Sequence, residues 1–332
     1  MSLVYLVVGI AVLVVTIVDI LWTTLWVDGG SGPLSSRLTS WLWRGLRQFG
    51  SERSRVLSLA GPIILTTTLV VWVAAIWGGW TLVFGSSGAS LTNARSGTPV
   101  TWIDRIYFVA YTMFTMGNGD FYPADGGFQI AASLTTASGM LFVTMGVSYV
   151  LSVLGAVSDK RSFASSVTGL GERSETVVET GWDGEDFEGI HPPLNSLAAG
   201  LDTLATQHKA YPILHYYHSE EAKHASTMAV VIFDEALTVL RFGVTEDDRP
   251  NHALVENARS ATENYLETLN EAFIDPADET PDPPDLDRVR SADVPTVSDD
   301  EFEDAVDDLE ERRRQLLALV RSDAWHWPPI EQ

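Results

Sequence analysis

The chain has 332 residues, 44 of them acidic and 21 basic, and no cysteine; residues 1–157 hold 6 acidic and 7 basic side chains, residues 158–332 hold 38 and 14. That split excludes one soluble domain of even charge, and the missing cysteine excludes a disulfide framework, a thiolate metal site and cysteine catalysis. The acidic half excludes nucleic acid as a partner, because phosphate contacts need clustered Lys and Arg.

Three apolar runs follow one another in the uncharged half. Residues 3–27 carry one charge, Asp19, and residues 56–84 and 126–158 carry none. About 20 helical residues cross a ~30 Å hydrocarbon core, so each run is long enough to span it. The first run lacks the basic start and small-residue cleavage site of a signal peptide and reads as a retained span. Its Asp19 is either an intramembrane functional carboxylate or a group near the inner interface that meets an arginine of the next loop.

Orientation follows from the short loops. Arg37, Arg44, Arg47, Arg53 and Arg55 lie between the first two spans, and Lys160 and Arg161 follow the third, while residues 85–125 hold only Arg95 and Arg105. The positive-inside rule then places the N-terminus outside and the acidic C-terminal domain in the cytoplasm. Residues 102–115 (WIDRIYFVAYTMFT) are aromatic but too short to cross. They read as a helix that enters from outside and returns as non-helical backbone, which membranes tolerate only where it lines water or is buried in protein.

At Thr115 the sequence reads TMGNGDFYP. Between two charge-free spans and after a short aromatic helix, this resembles the pore loop of the tetrameric potassium-channel superfamily, Thr-x-Gly-(Tyr/Phe)-Gly-Asp. The resemblance covers roughly residues 56–157 and implies a homotetramer in a lipid bilayer, passing monovalent cations. Backbone carbonyls of Thr115, Met116, Gly117 and Asn118 would replace the hydration of K+, and Gly117 and Gly119 would supply the unusual dihedrals this needs. It places Asp120 at the outer mouth and makes Tyr107, Phe108 and Tyr111 the pore-helix support behind the filter. Gly139 falls at the family's gating hinge, with close helix packing as the alternative. Asn118 stands where the family has an aromatic ring, so a wider or more mobile filter and a less selective cation pore stay open beside potassium selectivity.

The acidic part reads as helical. Leu194, Leu197, Leu201 and Leu204 share one face, and helices are expected over 212–242 and 251–273, with a Ser- and Gly-rich junction at 162–171 and a Pro- and Asp-rich linker at 275–295. Phe302, Val306, Leu309, Leu316 and Val320 form a stripe on a last helix, expected as a docking or oligomerisation face. An incomplete glycine fingerprint at 169–174, an acidic loop at 183–189 and His215, His218 and His224 give no defensible nucleotide, calcium or metal site, and no catalytic triad emerges. No enzyme activity and no cofactor are expected, apart from transported K+. Only 3 of the 21 basic residues are Lys, a balance that resembles salt-accumulating archaea; a cation-concentrating field at the inner mouth is the other reading.

The expected fold is an all-α membrane protein with three transmembrane helices, a re-entrant pore helix and filter loop, and a cytoplasmic helical domain. Its domains are 1–55, 56–158 and 159–332. The function expected is the pore-forming subunit of a homotetrameric cation channel; a non-selective channel and a non-conducting membrane-anchored regulator are the alternatives.

Overall fold

Helices of 23, 26 and 45 residues, each apolar enough to cross a membrane, dominate the first half of the chain: α1 (Leu3–Leu25), α3 (Ala60–Gly85) and α5 (Gly126–Leu170). Between them lie α2 (Pro33–Gly50) and the short α4 (Trp102–Met113). The computed structural model describes residues 2–27, 30–50, 57–94, 99–270 and 275–328, without the side chains of 47–50 and 270. Arg53, Arg55 and Arg95, counted in the orientation argument, lie outside the described residues. The chain forms two compact units, residues 1–45 with 62–153 and residues 46–61 with 154–332. Among the described residues the fold is all-α apart from a ribbon in which β1 (Leu91–Asn93) pairs antiparallel with β2 (Phe121–Pro123) and a single bridge between Val244 and Thr296.

In the first unit, α1 buries Gly9, Leu13, Thr16, Asp19, Ile20 and Thr23 along one stripe and leaves Val4, Val7, Val14 and Val18 exposed. Small residues permit the approach: a Cβ on Gly9 would stand 2.8 Å from the Gly79 carbonyl oxygen of α3. Asp19 is fully buried, and among the described residues no arginine meets it. Its Oδ1 accepts the backbone N–H groups of Leu34 (2.8 Å) and Ser35 (3.2 Å), and its Oδ2 accepts the Ser35 hydroxyl (2.5 Å) and the Trp72 indole N–H (2.9 Å). The carboxylate therefore sits on the N-terminus of α2, where free N–H groups and the helix dipole favour an anion. Three helices meet at this one side chain.

The second unit contains the end of α5, followed by α6 (Ser174–Gly181), α7 (His191–Ala210), α8 (Ser226–Thr238), α9 (His252–Asn270), α10 (Leu286–Ser291), α11 (Asp299–Asp307) and α12 (Glu310–Ser322). The predicted junction at 162–171 is instead helical to Leu170, because Phe163, Ala164 and Val167 bury one face in this unit's core. Tertiary packing there overrides the weak helix propensity of Ser, Thr and Gly. Gly155 lies inside α5. Leu194, Leu197, Leu201 and Leu204 are all buried, and α7 packs on α9.

The expected helix over 212–242 is broken. Residues 212–216 and 222–224 form short 3-10 turns, and α8 begins only at Ser226. The carbonyls of Leu214 and Tyr217, which a continuing helix would use itself, accept the buried Lys160 ammonium at 3.2 and 3.0 Å. His215 and His218 consequently do not share a helical face. His218 pairs with Asp323 (2.9 Å) and His224 with Ser165 (3.1 Å). Among the described residues no His/Cys/Asp/Glu cluster could hold a metal. The 275–295 segment is packed: Leu286 and Val289 are buried, and α10 starts on an Asp285 cap.

α8 is buried along its whole length, including Asp234 and Glu235. Two consecutive arginines of α12 match them: Arg312 donates to both Asp234 oxygens and Arg313 to both Glu235 oxygens at 3.0 Å. The predicted stripe is the reverse side of this docking. Phe302, Val306, Leu316 and Val320 lie in the unit's own core, so they offer no oligomerisation face, and the helix breaks at Asp308–Leu309 into α11 and α12.

His208 of α7 is buried against Tyr265, its Nδ1 2.9 Å from the Leu204 carbonyl. Burial, helped by the Lys160 charge, pushes its pKa from 6.5 down to about 3. The folded chain thus refuses a proton that the unfolded chain accepts, so this residue's stability contribution is present above pH 6.5 and lost as pH falls. Between pH 7 and pH 5 wild type should lose about 2 kcal/mol more than His208→Leu in parallel denaturant melts. The comparison must be a difference, because burial pushes Glu235 up to about 7 against the pull of Arg313, and that group titrates with the opposite sign. Equal pH slopes in the two proteins would refute the assignment.

Candidate functional site

α4 begins with a capping box. The Thr101 side chain accepts the Asp104 N–H, and the Asp104 carboxylate accepts the Thr101 N–H at 2.8 Å. The Thr-x-x-Asp spacing that signals such a start stands in the sequence at 101–104. Arg105, one turn in, is buried and donates to the carbonyls of Phe84, Val100, Ser87 and Gly88. It thereby closes the C-terminal end of α3, whose last carbonyls lack helical partners. This role was not read from the sequence, where Arg105 counted only as a loop charge.

At its other end α4 stops at Met113, and the chain turns back through Thr115 to Asp120. Thr115, Gly117 and Gly119 have φ of 59°, 59° and 75°. A left-handed residue at every second position is the pattern of neither a helix nor a β-strand, and it can turn successive carbonyls toward one side of an extended segment. Nothing lies within 4 Å of a Cβ built on Gly117 or Gly119, so conformation rather than space demands glycine there. Thr115 holds the same region despite its β-branch, an uncommon and strained state.

Hydrogen bonds to tyrosine hydroxyls hold this segment from behind. Asn118 Nδ2 donates to the Tyr107 hydroxyl (2.5 Å), which is 3.2 Å from Asp120 Oδ2. One phenol thus links the segment's centre to its outer end. Phe108 turns away from it and packs on Phe84 of α3 (5.0 Å) and on Tyr111 (5.3 Å). Tyr111 holds the backbone just past Asp120: its hydroxyl donates to the Phe121 carbonyl (2.8 Å) and accepts the Phe121 N–H (3.3 Å). The β1–β2 ribbon continues this lacing, with the Ala94 N–H donating to the Asp120 carbonyl at 2.9 Å. Three-residue strands carry too little alternation to be seen in advance.

Gly139 answers first to packing. A Cβ there would stand 2.1 Å from the Met113 carbonyl oxygen, so its absence seats the C-terminal end of α4 against α5, which runs unbroken through this position. Close by, the Thr136 hydroxyl donates to the Thr112 carbonyl (3.2 Å), and the Trp80 indole donates to Ser138 (2.9 Å).

The arrangement can present a row of backbone oxygens on an exposed strand, held from behind by tyrosine hydroxyls. Residues 63–156 match the family model described as an ion channel. An uncharacterized membrane protein, YdjJ, of Bacillus subtilis (strain 168) is 42% identical over 328 residues, covering 99% of this chain and 96% of the relative. No solved structure matches the chain. With that identity over nearly the full length of both proteins, the chain belongs to the family of this membrane protein, and its residues 63–156 match the ion-channel family model.

Proposed function

We propose that the chain is the pore-forming subunit of a homotetrameric cation channel that prefers potassium, with Thr115–Asp120 as its filter. The alternating left-handed dihedrals at Thr115, Gly117 and Gly119 carry this reading. Four such strands around an axis would offer rings of carbonyls from Thr115, Met116, Gly117 and Asn118 in place of water. α4 would aim its negative C-terminal end at the ion path. The loop arginines favour an outward N-terminus and a cytoplasmic second unit. Gly139 serves as a gating hinge only if α5 bends where α4 already crowds it. The acidic surface, poor in Lys, suits a protein that keeps itself hydrated at high salt.

Asn118 is the observation that favours a second reading, a pore of weaker selectivity. Its tie to Tyr107 replaces ring packing with a single hydrogen bond, and field strength as well as fit sets selectivity. Liposome flux of the purified protein separates the readings. Potassium uptake well above sodium uptake is the expected result; equal rates would assign the non-selective pore, and no flux from an intact tetramer would assign a regulator.

A further inference from the structure

The second unit contains a cavity of 260 Å³ at the start of α6, bordered by Arg173, Glu175, Glu235, Asp282 and Trp327. It falls just under the usual ~300–1,000 Å³ of drug-sized sites, which suits a smaller molecule. Several of its charges are already engaged. Glu235 is paired with Arg313, and Arg288 lies 3.4 Å from Asp285. Glu175, nearly buried, accepts the Asp285 N–H (2.9 Å) through one oxygen only. The side chains of Arg173 and Asp282 have no hydrogen bond or ion pair among the described residues. Arg173, the partly paired Arg288 and the carboxylates of Glu175 and Asp282 therefore face one space with capacity to spare. Ile232, Pro283, Pro284 and Trp327 give that space an apolar wall.

We propose that this cavity binds a small zwitterion of the amino-acid or betaine class. Its carboxylate meets Arg173, its cationic nitrogen meets Glu175 and Asp282, and its carbon skeleton lies against Trp327. A simple anion would face two carboxylates, and a simple cation would leave Arg173 without a partner.

The position gives binding a route to the pore. Arg173 comes three residues after Leu170, the last residue of α5. The turn between α5 and α6 is tight: a Cβ on Gly171 would stand 2.7 Å from the Val177 nitrogen, and the Thr180 hydroxyl holds the Leu170 carbonyl (2.8 Å). A ligand on the first turn of α6 thus pulls on the end of the inner helix. This consequence rests on the channel reading; binding itself does not.

Calorimetry on the full-length protein in detergent, with L-alanine and glycine betaine as probes and acetate and tetramethylammonium as half-molecules, tests the site. At least one zwitterion should bind saturably and neither half-molecule should. Arg173→Gln and the exposed Asp282→Asn should each weaken binding by roughly tenfold or more. Absence of saturable binding by both zwitterions, or affinity unchanged in either variant, overturns the proposal. In proteoliposomes the bound zwitterion should change flux through wild type and not through Arg173→Gln. Binding with unchanged flux overturns the route to the pore, whereas no flux under any condition is a failure of the channel reading.

Discussion

Replacing Gly117 with valine should abolish cation flux through reconstituted protein while leaving expression, helix content and detergent stability near wild type. The expected loss is complete, because φ at this position is 59° and a β-branched residue resists that region by roughly 1–2 kcal/mol in every subunit. Within one subunit nothing lies within 4 Å of the added Cβ, so the local fold has no need to shift. What changes is the direction of a carbonyl. A potassium-flux assay beside circular dichroism distinguishes this from general damage: lost flux with intact helices supports the filter assignment, and retained flux removes it.

Asp234→Ala should be the most damaging change in the second unit, costing about 3–5 kcal/mol and lowering the melting temperature by roughly 10 °C. The carboxylate is fully buried and takes two donors from Arg312, whose own side chain is only 11% exposed. Removing it strands a guanidinium that Glu263, at the surface, only partly compensates. The double variant Asp234→Leu with Arg312→Met should recover part of the loss, because an apolar pair leaves no charge behind. A single-variant cost under about 1 kcal/mol would mean that Arg312 finds water or another acid.

The membrane helices were legible because their signal is composition over length, which needs no partner to be read. The turn-back at 115–120 was legible as irregular backbone because two of its three left-handed positions, Gly117 and Gly119, carry the residue that adopts them most cheaply, and glycine is visible in a sequence. The helix boundaries of the second unit were not. The break after Tyr216 depends on Lys160, more than fifty residues earlier, taking two carbonyls that local pattern assigns to a helix. Arg105 and Asp19 were misread for the same reason. Each is a charged side chain that binds backbone groups at the end of another helix, in Asp19's case beside the Ser35 and Trp72 side chains, and those ends come together only on folding. The Asn118–Tyr107 bond was missed because side-chain pairing between a strand and a helix leaves no periodic trace.

The joint at Asp19 has a consequence for the order in which the protein is made. α1 enters the bilayer before α2 and α3 exist to supply the four donors its carboxylate accepts. A carboxylate costs about 2.5–3.5 kcal/mol at the centre of a newly inserted helix and less toward its end, where Asp19 lies in α1, against ~0.3–0.6 kcal/mol returned by each Leu, Ile or Val. The valines and leucines on the outer side of α1 outweigh that debt during insertion, and the arrival of α2 then cancels it. A span so balanced tolerates one early polar group, and a second polar substitution in α1 would be felt at insertion, before the folded protein could repair it.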